Sequence, residues 1–201
     1  AKIDTNTLYE TLFDSTVHSD PDAGGLINYS YLSGENITKI QEGRPLFVRT
    51  PNSKMNLANF FLTQLYAAFA PLKIGMDILL NEEHVQTDVM VAQGGLFGTP
   101  VIGQQVLANA LNIPITIMNT ASEGGPWGMA VLAKYAETYG KESLADYLDE
   151  KVFKNPESMT LTPEPAGVKG YESFITRYQA GLPVEALAGD DINEREEKGS
   201  K

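Results

Sequence analysis

Residues 87–139 twice place an apolar, β-branched run before a glycine turn and an amphipathic helix, and few folds accept that order. Thr87-Asp88-Val89-Met90-Val91-Ala92 reads as a strand. It runs into Gln93-Gly94-Gly95-Leu96-Phe97-Gly98, where the backbone is stripped of side chains and free to take positive φ. Thr99 suits an N-cap and Pro100 the first helical position. Val101, Ile102, Val106, Leu107 and Leu111 then recur on one side until Asn112-Ile113-Pro114 stops the helix. Ile113, Ile115 and Ile117 alternate with Pro114, Thr116 and Met118 as a second strand, and Ala121-Ser122-Glu123-Gly124-Gly125-Pro126 leads into a second helix, Trp127 to Tyr139.

Two successive crossovers predict adjacent parallel strands in an α/β fold, a βαβα core with helices packed on the sheet. Ligands of such sheets collect beyond the strand C-terminal ends, where Gly94 and Gly95 fall. A glycine pair there exposes backbone N–H groups, and the helix N-terminus that follows favours a phosphate. The same pattern also serves as a plain structural connection, and both readings stand at this point. Neither G-x-G-x-x-G nor G-x-x-x-x-G-K-[ST] occurs, which disfavours a Rossmann dinucleotide loop and a P-loop.

Three blocks together resemble the C-terminal lobe of FGGY carbohydrate kinases. They are Gly94-Gly95-Leu96-Phe97-Gly98-Thr99-Pro100 with Gln104, then Ala108-Asn109-Ala110-Leu111-Asn112-Ile113-Pro114-Ile115, then Glu123-Gly124-Gly125-Pro126-Trp127-Gly128-Met129-Ala130-Val131-Leu132-Ala133. Their order and spacing agree with the family pattern, and the resemblance covers most of residues 8 to 185. Asp20-Pro21-Asp22-Ala23-Gly24-Gly25-Leu26, Gly43-Arg44-Pro45-Leu46-Phe47-Val48-Arg49 and the Gly124-Gly125-Pro126-Trp127-Gly128 turn look most similar to ribulokinase-like and xylulokinase-like members. Two positions depart: Asn109 stands where many members carry aspartate, and Gln93 where many carry a small residue.

The resemblance implies an actin-like ATPase (ribonuclease-H-like) C-terminal lobe, incomplete at its N-terminal edge. It also implies a nucleotide site in which Gly94, Gly95, Leu96, Thr99 and Gln104 surround the adenine and ribose of ATP. Implied too are Mg2+ in the full-length enzyme and transfer of the γ-phosphate to a ketopentose such as L-ribulose or D-xylulose. The sugar pocket and catalytic aspartate of such kinases belong to an N-terminal lobe, and the C-terminal lobe usually opens with a Gly-Thr-Ser-like phosphate loop that nothing before Thr7 supplies. The expectation is therefore a fragment, inactive alone, with no catalytic residue of its own. A catalytically silent nucleotide-binding or oligomerisation lobe is the alternative, and the resemblance leaves room for a homodimer.

At 201 residues with 42 % hydrophobic side chains the chain suffices for one domain with a sizeable core. The formal charge of −11 and the absence of Lys/Arg clusters argue against a nucleic-acid partner. With no cysteine and only His18 and His84, disulfides and a Cys/His metal centre are not expected. No apolar run reaches membrane-spanning length and no basic-then-apolar leader opens the sequence, so no membrane partner and a cytoplasmic location are expected.

The remaining segments sort by period. Thr7 to Val17 reads as a helix, Leu26 to Leu32 and Pro45 to Val48 as strands, and Asn56 to Leu80 as a long helix that Pro71 kinks or splits near Phe69. Ser19-Asp20-Pro21-Asp22-Ala23-Gly24-Gly25 reads as a turn with Asx hydrogen bonds in preference to a magnesium site. Glu142 to Val152 and Val168 to Ala180 are further helices, Thr160 to Pro165 a linker, and Leu182 to Leu187 a docking arm. Residues 1–188 are expected to form the ATP-side domain and 189–201 a disordered acidic tail.

Overall fold

Side-chain caps fix where several helices begin. Asp4 accepts from the Thr7 N–H at 3.0 Å, Asn56 from the Asn59 N–H at 2.9 Å and Ser143 from the Asp146 N–H at 3.1 Å, each satisfying a donor that helix geometry leaves open. The computed structural model describes residues 4–98, 101–119, 121, 124–138, 140–154 and 157–192. The elements run α1 (Thr5–Asp14), β1 (Ile27–Tyr29), β2 (Leu46–Val48), α2 (Leu57–Asp77), β3 (Met90–Val91), α3 (Ile102–Leu111), β4 (Ile115–Met118), α4 (Gly124–Ala136), α5 (Leu144–Tyr147), β5 (Ser158–Leu161) and α6 (Pro165–Asp191). They divide into two units, residues 1–86 with 165–201, and residues 87–164.

In the first unit β1 and β2 pair antiparallel, with Asn28 opposite Phe47, and α2 and α6 supply the core. Tyr66 meets Tyr171 edge-on at 4.8 Å and Phe174 at 5.1 Å, while Tyr29 lies 4.7 Å from Tyr178. Three buried phenols donate to backbone carbonyls: Tyr66 Oη to Pro21 O at 2.8 Å, Tyr29 Oη to Tyr178 O at 2.7 Å, and Tyr171 Oη to Tyr66 O at 3.2 Å. Aromatic bodies exclude water here while their polar tips tie down loop and helix backbone.

The Asp20–Gly25 turn is held by the same unit. Asp22 Oδ1 accepts from the Gly24 N–H at 3.1 Å, an Asx bond of the expected kind, and Arg177 pairs with Asp22 at 3.2 Å. Asp20 bonds Lys54 at 2.7 Å and the buried Asn59 at 2.9 Å, and those two donors, Lys54 first, lower its carboxyl pKa. Gly24 takes φ 61°, and a side chain there would run into Asn59 and into Lys54 O.

Several boundaries differ from the sequence reading, β3 shrinking to Met90–Val91 and α4 beginning at Gly124 among them, and three more bear on the core and the sheet. Pro71 lies inside α2 without splitting it; the buried Leu65, Tyr66, Phe69, Ala70 and Met76 around it outweigh the missing hydrogen bond. Residues 160–161 are not linker: they close β5, which the prolines at 163 and 165 follow rather than interrupt. Helix α6 spans Pro165–Asp191, absorbing Pro183, the expected arm and the first residues of the expected tail; residues 193–201 lie outside the described residues.

In the second unit the sheet has the order β3-β4-β5. Met90 and Val91 pair parallel with Ile115 and Thr116, and Ile115 to Met118 pair antiparallel with Leu161 to Ser158, so the sheet is mixed rather than purely parallel. Val106, Leu107, Ala110 and Leu111 of α3 are buried with Ile113, Ile115 and Ile117.

Two glycines of the first unit should respond oppositely to alanine. A Cβ on Gly170 would overlap the Pro21 carbonyl, whereas one on Gly75 would sit 3.7 Å from Ile37 in ordinary contact. Gly170→Ala is expected to cost about 1–3 kcal/mol and Gly75→Ala to add about 0.5–1 kcal/mol, read as opposite shifts of the urea unfolding midpoint.

Candidate functional site

Parallel pairing sends β3 and β4 in one direction, so the glycine turns that follow them emerge at the same end of the sheet. The Gly94 N–H donates to the Ala121 carbonyl at 2.7 Å, joining the two turns directly. A Cβ on Gly124 would stand 3.5 Å from Gln93 Cβ, which brings the start of α4 against the same place.

Of the residues named from the sequence, Gly94, Gly95 and Leu96 lie together here. Gly94 takes φ 128°, a conformation that side chains resist, while Gly95 needs no such freedom and opens a short 3-10 turn, Gly95–Gly98. Among the described residues, immediate chain neighbours and the helix's own backbone apart, no atom lies within 4 Å of a Cβ built on Gly94, Gly95, Gly125 or Gly128. Among the described residues packing therefore does not require bare backbone at Gly95, whereas Gly125 and Gly128 lie not in a turn, as the sequence suggests, but in the first turns of α4, which begins at Gly124 rather than at Trp127. Leu96 backs the loop: its carbonyl and Cγ would stand 3.3 and 3.2 Å from a side chain on Gly103, so α3 and the loop abut.

Thr99 lies outside the described residues, as does Pro100. The described helix α3 begins at Ile102 rather than at Pro100. Its cap position is Val101 at φ 75° and ψ −60°, where a β-branched residue is strained.

Gln104 sits behind the loop and is only 1 % exposed. Its Nε2 donates to Ile115 O at 2.7 Å and to Met159 O at 2.9 Å, so both amide protons go to the sheet, one to β4 and one to β5. Its Oε1 is buried with no hydrogen-bond partner. Sequence reasoning missed this bridge because it missed β5. Asn109 Oδ1 accepts from Gln105 Nε2 at 3.1 Å and from the Glu164 N–H at 2.8 Å. A carboxylate oxygen would accept the same two bonds, which makes the asparagine a mild departure. Asp88 is exposed and precedes β3, at the strand end away from Gly94.

The sequence model of the FGGY family of carbohydrate kinases, C-terminal domain, matches residues 1–137. The chain belongs to this family. Solved structures agree on the fold. A xylulose kinase from Rhodospirillum rubrum superposes with TM-score 0.68 at 16 % identity over 90 % of this chain and 34 % of its own. A gluconate kinase from Lactobacillus acidophilus gives 0.70 at 19 % over 95 % and 37 %. A ligand-bound xylulose kinase from Lactobacillus acidophilus gives 0.69 at 18 % over 90 % and 36 %. No curated protein matches. The chain thus has the actin-like ATPase fold of an FGGY C-terminal domain and spans about a third of the length of these neighbours. Among the described residues no helix is long and apolar enough to cross a membrane.

Gly95→Val adds a side chain into open space and should leave stability within about 0.5 kcal/mol of the parent. Gln104→Leu strips the buried Ile115 carbonyl and the part-buried Met159 carbonyl of their donor and should cost about 2 kcal/mol or more. Chemical denaturation of the two variants beside the parent checks the contrast.

Proposed function

We propose that this chain is the nucleotide-binding lobe of a sugar kinase. It would hold ATP for transfer of the γ-phosphate to a ketopentose such as L-ribulose or D-xylulose, in a cytoplasmic enzyme. The observation that carries the reading is the pair of turns joined by the Gly94–Ala121 bond at one end of parallel strands, with open space around Gly95 and the start of α4 brought against Gln93. Gly94, Gly95 and Leu96 would lie along the adenine and ribose, with Thr99 beside them. Gln104 would complete that wall from behind, its amide fixing α3 against the sheet. ATP supplies the phosphoryl group; the chain's part is to bind and orient it.

Among the described residues no group of three or more His, Cys, Asp or Glu could hold a metal ion; Mg2+ in the full-length enzyme would ride largely on the nucleotide phosphates, and no step is assigned to it. Ketopentose specificity draws support from the two xylulose kinases, while the gluconate kinase widens the sugars worth testing. Transfer also needs a base for the sugar hydroxyl. Asp88 is a poor candidate, lying before the strand whose far end carries Gly94, about 20 Å away for six extended residues.

Chemical-shift mapping with a nonhydrolysable ATP analogue should perturb the amides of Gly94, Gly95 and Leu96. The expected dissociation constant is on the order of 0.1 to 10 mM, roughly 3 to 5 kcal/mol of binding, and Gly95→Val should remove the response. Saturation with perturbations confined elsewhere would overturn the site.

A coupled ADP-release assay with ribulose, xylulose and gluconate should find no turnover by the chain alone. Sugar-dependent release by the purified chain would show that a base had been overlooked within it. A full-length enzyme silent toward every sugar would favour the non-catalytic lobe.

A further inference from the structure

Glu185 is a carboxylic acid in a place that gives a charge almost nothing. It is 0 % exposed, on the last third of α6. One oxygen accepts from the Arg44 N–H at 2.8 Å, and the other is buried with no hydrogen-bond partner. A buried carboxylate ordinarily collects several donors or a bonded cation, because the charged form loses its hydration.

The groups facing Glu185 come from two places besides its own helix. Tyr29 of β1 and the nearby Tyr31 are close enough to feel its charge. Tyr31 and Tyr178 join their hydroxyls at 2.5 Å, and Tyr29 bonds Tyr178 O, so these phenols are engaged with one another. Glu35 also acts on Tyr31. From the loop before β2 come Glu42 and Arg44. The Arg44 guanidinium bonds Glu42 at 2.6 Å, Gly43 O at 2.8 Å and Ile192 O at 2.5 Å. On earlier turns of α6, Asp22 holds Arg177 and Asp77 of α2 acts on Tyr171.

Docking of this end of α6 leaves no slack. Side chains on Gly181 and Gly189 would run into the Tyr29 hydroxyl and the Glu42 carbonyl, so the helix lies directly on β1 and the 42–44 loop.

We infer that Glu185 is a proton-dependent latch: neutral, it lets the C-terminal third of α6 seat against Tyr29 and residues 42–44, and ionised, it drives that segment to open. Burial raises the Glu185 carboxyl above its ordinary value, against the opposing effects of the Arg44 N–H and the Arg44 charge. A group whose pKa is raised in the closed state stabilises that state fully at low pH. The stabilisation is lost as pH rises through the raised value, so the latch loosens toward alkaline pH. The inference is independent of nucleotide binding, since every group named belongs to the first unit.

Hydrogen exchange of the amides of residues 182–191, corrected for intrinsic rates and followed over a pH series in the 201-residue chain, tests it. Opening should rise about tenfold per pH unit above the ordinary glutamate value of about 4.5 until Glu185 has ionised, and should be flat in Glu185→Gln. Titration of the Glu185 carboxyl carbon by NMR in the parent gives a second readout that survives if the variant fails to fold, and its midpoint should lie above 4.5. A midpoint at or below that value, or a Glu185→Gln variant that keeps the parent's pH dependence, would overturn the latch.

Discussion

Parallel pairing of Met90-Val91 with Ile115-Thr116 is the constraint on which the second unit depends. Two strands that run the same way cannot be joined by a tight turn, so the chain must leave the sheet, travel back along α3 and re-enter. That detour gives β3 and β4 matching exits, and it is why a backbone bond from Gly94 to Ala121 is geometrically available at all. Residues 27 positions apart become neighbours through topology, with no side chain involved.

Much of this was legible because it is periodic. Ile113, Ile115 and Ile117 alternate, and all three are buried; Val106, Leu107 and Leu111 recur at helical spacing, and they too are buried. Asp22 and Gly24 are turn chemistry in sequence and form an Asx bond in space. Local rules failed where packing decides. Ser158-Met159-Thr160-Leu161 is short, and the prolines just beyond it read as linker, so its role emerges only from pairing with β4. The family resemblance places Gln104 in the nucleotide wall; only the neighbouring carbonyls of Ile115 and Met159 show that it is buried as a bridge to the sheet. The reach of α6 was underestimated for a similar reason, since the apolar stripe of Tyr171, Phe174, Ile175 and Tyr178 ends near Ala180 while Glu185, Ala188 and Gly189 beyond it are buried.

The two units are built on different economies of contact. In the first, rings of Tyr29, Tyr66, Tyr171, Phe174 and Tyr178 fill the interior, and the hydroxyls of Tyr29, Tyr171 and Tyr66 donate to backbone carbonyls of α6, α2 and the turn at Pro21. In the second, aliphatic side chains of α3 cover a short sheet and a carboxamide bridges its strands. Helix α4, by contrast, has no buried residue among those described and exposes Met129 by 68 % and Leu132 by 47 %.

Gly170, Gly181 and Gly189 behave along α6 like notches cut into a key. Each receives a protruding atom of another segment: the Pro21 carbonyl, the Tyr29 hydroxyl and the Glu42 carbonyl. An α-helix turns about 100° and advances about 1.5 Å per residue. Adding or removing one residue between the first notch and the last would swing the remaining notches off the contact face, and a change of a whole turn would restore the face but slide it by about 5 Å. The segment between residues 170 and 189 is therefore locked in length as well as in composition.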